Sequence, residues 1–188
     1  MVTEVTQAPV PTNPRWALDP AHSSIEFAVK HMVIATVKGR FTGFDLDIDF
    51  DEAHPERTGV EARIDAASID TKEPQRDAHL RSPDFLDAER FPHLVFRSRH
   101  IISKGDGRYD LAGDLTIRDV TQEVVLAAAF GGTGKDPWGN RRAGFSAEGV
   151  LNRKDFGLTW NQALETGGVL VGDKVKIAFE VELIERAG

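Results

Sequence analysis

Near the end of the chain Val175, Ile177, Phe179, Val181 and Leu183 occupy every second position, with Lys174, Lys176, Glu180 and Glu182 between them. Only extended backbone sends alternate side chains to opposite faces, so this stretch reads as a strand with one dry face and one wet face. The same period returns along the chain. It runs through Ile25, Phe27 and Val29; Phe41, Phe44, Leu46, Ile48 and Phe50; Val60, Ala62, Ile64 and Ala66; and Leu111, Gly113, Leu115 and Ile117. It continues through Val124, Leu126, Ala128 and Phe130, and through Ala143, Phe145, Ala147, Gly149 and Leu151. Leu94 to Ile102 adds a strand whose inward face is ambiguous. The parity slip at Thr42-Gly43 predicts a bulge at a permissive glycine. Eight strands with mostly short connections pair antiparallel, because parallel neighbours need a crossover each time. Such a set splits into a sandwich or closes into a barrel.

One long interruption breaks the series, from Thr71 to Phe96. Its signals predict two short helices between strands three and four: Thr71 to Leu80, with Pro74 near the start, and a second capped by Ser82-Pro83-Asp84 and stopped at Phe91-Pro92. An insertion of this kind cannot join the sheet, so it covers a sheet edge, a barrel end or the mouth of a cavity. Lys104-Gly105-Asp106-Gly107 reads as a hairpin turn. Gly131 to Asn140 reads as a long glycine-rich connection, and Asp155 to Leu170 as a loop with a helical turn around Asn161 to Leu164.

Length and composition bound the rest. The 188 residues suit one domain, expected over residues 15–186, behind a Pro/Thr/Gln arm at 1–14 expected to be mobile and dispensable. A net charge of −7 with no basic patch excludes nucleic acid as a partner, and no apolar run is long enough to span a membrane. The absence of cysteine removes disulfides, thiolate metal sites and a cysteine nucleophile together. Glu4 and the prolines of the arm are unlike a secretion signal, so the expected location is cytoplasmic. Asp45, Asp47, Asp49 and Glu56 have the spacing of a calcium loop, yet Phe50 stands where that loop requires glycine. Gly131 to Lys135 lacks both the hydroxyl after the lysine and the helix of a phosphate loop.

The interior decides between a filled barrel and a container. Ala62, Ala66, Gly113, Ala128, Ala143, Ala147 and Gly149 all fall on inward faces, which leaves space beside the larger apolar residues. An apolar, elongated cavity suits an acyl or isoprenoid chain. Parity gives its lining as Phe27, Val29, Phe44, Leu46, Ile64, Leu115, Ile117, Leu126, Phe145 and Phe179. Arg76, Arg153 and His31 are the candidates for a polar or pyrophosphate head at the rim. The rival chemistry is an Asp77/His79 acid/base pair, or zinc on His22, His31 and His79. The structural alternative has Asp77, His79 and Ser23 tying the insertion to the first strand.

Taken as a set, DPAHSSIEFAVKHM, VKGRFTGFD, RDAHLRSPDFLDAERFPHLVFRS, DLTIRDVTQEV and RAGFSAEGVLNRKDFGL resemble the YceI-like family over Trp16 to Leu183. The resemblance implies an all-β, eight-stranded antiparallel lipocalin-like barrel with a short helical segment, a tunnel for a polyisoprenoid or other long lipid, and a homodimer. It does not decide the chemistry; the expectation of no catalysis and no cofactor rests on the histidines lacking a catalytic or metal-ligand motif. A fatty acid or amide is the alternative ligand. The family usually has glycine in the turn that Asp119 occupies here, and aspartate tolerates the left-handed conformation expected of it.

Overall fold

The computed structural model describes residues 15–187, so the arm at 1–14 lies outside the described residues. The strands are β1 (Trp16–Leu18), β2 (Ser24–His31), β3 (Ala35–Phe41), β4 (Phe44–Asp49), β5 (Gly59–Asp65) and β6 (Ile69–Asp70), followed by helix α1 (Pro74–Arg81). Then come β7 (His93–Gly105), β8 (Arg108–Ile117), β9 (Val120–Lys135), β10 (Arg141–Asn152) and β11 (Val171–Glu185). Along the sheet the order is β4-β5-β7-β8-β9-β10-β11-β2-β3-β6, with β1 added beside β11, and every pair is antiparallel.

β3 and β4, which stand near opposite ends of that order, are halves of one segment. β3 pairs with β2, β4 pairs with β5, and Thr42-Gly43 bends the chain between them, so eight antiparallel ribbons curl into a barrel-like sheet. The expected bulge is therefore the corner between β3 and β4. Gly43 O accepts from Asp65 N at 2.9 Å, and Thr42 N donates to Ser68 O at 3.2 Å, so the corner stays hydrogen-bonded while it turns. Gly105, Asp106 and Gly107 have φ of 84°, 55° and 71°, as the β7–β8 turn requires.

Five expectations need correction. Ser82 ends a helix: its Oγ donates to His79 O at 2.7 Å, while Glu73 caps the start and Pro74 takes the first position. No second helix follows, because consecutive Phe85 and Leu86 are both buried and Asp87 turns left-handed at φ 48°. The first half of the glycine-rich connection, 131–135, is strand; 136–140 turns, organised by the Asp136 carboxylate, which accepts from Trp138 N and Asn140 N. The Asn161–Leu164 helical turn is absent, because Asn161 pairs through its side chain with both backbone groups of Val171. In the β8–β9 turn the left-handed residue is Arg118 (φ 59°), the neighbour of Asp119.

Candidate ligand chamber

β11 serves as a ruler for the barrel interior. Its inward residues Val175 and Ile177 line one apolar void, Val181 lines a second, and Phe179 between them lines both. At about 3.3 Å per residue, the six steps from Val175 to Val181 lay the voids end to end over about 20 Å. The void toward Val175 measures about 160 Å³ and the one toward Val181 about 120 Å³.

The larger chamber takes Phe27 and Val29 from β2, Ile64 from β5, Leu115 and Ile117 from β8, and Leu151 from β10. Its outer end is covered by the insertion, through Leu80, Phe85 and Leu86, and by Phe156 and Leu158. Arg81 holds the insertion down, donating from Nε to Ala67 O at 2.8 Å and from Nη2 to Ile69 O at 3.1 Å. The smaller chamber takes Leu46, Ala62, Phe96, Leu126, Ala128, Phe145 and Ala147. Beyond it the barrel is plugged: Trp16, Ala143 and Leu183 are buried with Phe50, which meets Phe145 edge-on at 4.8 Å. The short strand β1, which the sequence did not reveal, supplies Trp16 to this plug.

Small inward residues do not all leave space. A Cβ on Gly113 would stand 2.6 Å from the Phe96 ring, and one on Gly149 would stand 2.8 Å from Leu126 Cδ2. Both glycines are filled by neighbouring side chains. Ala66 and Ala143 are packed in the core, whereas Ala62, Ala128 and Ala147 border the smaller chamber.

Of the thirteen candidate site residues, ten line these voids. Phe44, His31 and Arg76 are not among the lining. Phe44 packs against the main core across from Ile64, and His31 ends β2 opposite Val171. Arg76 is engaged by Thr71, donating from Nε to Oγ1 at 2.7 Å and from Nη2 to the carbonyl at 2.9 Å. Arg153 borders the larger chamber but is only 4% exposed, and its donors are spent on the carbonyls of Gly172, Leu158, Trp160 and Val171. Burial lowers its pKa, partly offset by Asp173. A guanidinium so occupied is a clasp on the 158–172 loop, with little left for a phosphate.

The catalytic and metal alternatives are not assembled. Asp77 accepts from Thr71 N and Thr71 Oγ1, while His79 Nε2 stands 2.8 Å from Asp84 Oδ2, so Asp77 and His79 are not a pair. Nor does Ser23 reach the insertion; its Oγ accepts from Glu182 N at 3.0 Å. His22, His31 and His79 lie on different elements and do not converge. Among the described residues the ligand atoms that do converge belong to Asp19, His22 and Glu182, and Arg142 already supplies the cation there, with Nη1 2.5 Å from both carboxylates. Hydrogen bonds from His22 and then Arg142 hold the Asp19 carboxyl at about 2. Burial opposes the charge on Asp136, yet hydrogen bonds from Asn140, Arg142 and Trp138 also bring it to about 2. Asp19, Asp136 and Glu182 together raise the Arg142 pKa.

A curled antiparallel barrel with apolar voids along its interior is the class that this fold and site define. The chain belongs to the family described as YceI-like domain, whose model matches residues 16–183. A UPF0312 protein of Vibrio cholerae is 41% identical over 138 residues, covering 73% of each chain, and one of Ectopseudomonas mendocina is 42% identical, covering 73% of this chain and 72% of that one. Among solved structures, the YceI protein of Campylobacter jejuni superposes with a TM-score of 0.73 at 32% identity, over 84% of this chain and 90% of its own. Two more share the fold: BcnA of Burkholderia cenocepacia (TM-score 0.77, 24% identity, 88% and 98% covered) and a polyisoprenoid binding domain from Saccharophagus degradans (0.67, 13%, 93% and 100%). Among the described residues no helix is long and apolar enough to cross a membrane.

Proposed function

We propose that the protein is a carrier, not an enzyme, that encloses one long apolar chain, a polyisoprenoid before a fatty acid or amide. One observation carries the reading: Phe27, Val29, Val175, Ile177 and Phe179 point into the barrel yet are only half-buried. In a filled core such residues would lose nearly all accessible surface; here the remainder faces a void with almost no polar lining. An apolar cavity of this kind gives water no partners and accepts hydrocarbon. Each buried methylene contributes about 0.8 kcal/mol before ordering costs, so a chain filling the larger chamber would be held firmly. The fold shared with a structure described as a polyisoprenoid binding domain supports the isoprenoid over the acyl chain. The ligand enters beneath the insertion, because the opposite end is plugged by Trp16, Phe50, Ala143 and Leu183. The homodimer and the cytoplasmic location expected from the sequence belong to the same proposal, and are read by sedimentation equilibrium and by fractionation.

Calorimetric titration of delipidated protein with farnesol tests the reading. The expected result is saturable binding with a negative heat-capacity change, lost in a folded Phe27→Arg variant that places a charge in the larger chamber. No saturable uptake of farnesol or of a fatty acid by the parent protein would sink it.

A further inference from the structure

The two chambers meet at a waist whose parts differ in freedom. On β8 and β10, Gly113 and Gly149 contribute no side chain and line neither void. Phe96 leans over the first and Leu126 over the second, and both are packed tightly, at 6% and 4% exposure. On β11, Phe179 is the residue that borders both voids. It is half-buried, opposite Ala147 on one side and Ile25 on the other.

We infer that Phe179 is the length-determining residue of the tunnel: its ring closes the inner end of the larger chamber, and only a chain that turns it aside reaches the smaller one. Phe96 and Leu126 do not serve this role, since both line the smaller chamber alone, whereas Phe179 borders both voids. A phenyl ring bounded by voids changes rotamer without displacing neighbours, whereas a wedged one cannot. The bound chain therefore gains contact with each added isoprene unit until it meets Phe179, and little from the next. The inference rests on the chain-binding reading above.

The test is a calorimetric and native-mass series of geraniol, farnesol, geranylgeraniol and solanesol on the delipidated parent, Phe179→Ala and Phe179→Leu. In the parent, affinity is expected to rise along the series and then level off. In Phe179→Ala the levelling moves to a longer prenol, with at least a tenfold gain, about 1.4 kcal/mol, for the first prenol beyond the parent's plateau. Phe179→Leu falls between and stands in for the alanine variant if that variant does not fold. The same plateau in parent and variants overturns the inference while leaving chain binding intact. Failure of every prenol and fatty acid to bind the parent overturns the chain-binding reading, and this inference with it.

Discussion

At the scale of single residues, two glycines carry the shape of the interior by what they admit. A Cβ on Gly149 would press the far end of the flexible Leu126 side chain, whereas one on Gly113 would overlap both the Phe96 ring and the Arg97 carbonyl. Gly149→Ala is therefore expected to cost about 1 kcal/mol and Gly113→Ala about 3 kcal/mol or more, read from urea unfolding midpoints. Equal costs would mean that Phe96 is not fixed at the waist. The Arg142 cluster gives a second residue-scale prediction. Asp19 and Asp136 titrate at about 2 in the folded protein against an ordinary 3.8. Depressed values favour folding above the unfolded pKa, and that stability disappears as pH falls through the folded one. The urea midpoint should therefore drop between pH 4 and pH 2 in the parent. In Arg142→Gln the midpoint at neutral pH should be lower and the drop shallower; an unchanged acid profile would contradict the role given to Arg142.

At the scale of elements, the alternation made nearly all of the barrel legible. Strands declared themselves because one face is wet and the other dry, and even the corner at Thr42-Gly43 left a parity slip. Pieces held by tertiary partners were not legible. β1 is three residues long and exists because Trp16 packs into the plug, a contact with residues far along the chain. The 82–92 segment carries a helix-start signal, but burial of adjacent Phe85 and Leu86 over the larger chamber overrides it. The candidate site was legible to the same degree: parity placed nine apolar candidates on the voids, and failed for Phe44, which stands at the corner. The head-group candidates failed for another reason. A sequence shows an arginine but not the carbonyls that occupy it, as the Arg153 clasp illustrates. Arg153→Met is expected to destabilise the protein by about 3 kcal/mol, with loss of hydrogen-exchange protection concentrated in residues 158–172. Arg153→Lys keeps the charge but cannot reach four carbonyls, and should recover less than half of that cost. Full recovery by lysine would show that the charge matters and the clasp does not.

At the scale of the whole molecule, the barrel keeps its polar residues on its outer face, ends and corners and leaves its axis apolar. The Arg142 cluster fastens the plugged end, Arg81 and Arg153 fasten the covered end, and the interior between them holds two voids in line. If the cover over the larger chamber is the entry, Arg81→Ala should speed ligand release several-fold with little change in the equilibrium unfolding midpoint, as stopped-flow displacement of bound farnesol would read. Unaltered release with a lowered midpoint would assign Arg81 to stability alone.

The most direct measurement is native mass spectrometry of the protein purified from its own host, followed by organic extraction of whatever is released on unfolding. The account predicts a retained long-chain apolar species, lost only when the barrel opens, whose extracted class is isoprenoid. A bare polypeptide mass that also rejects added prenyl and fatty chains would contradict it, and would make the two voids packing defects of a filled barrel.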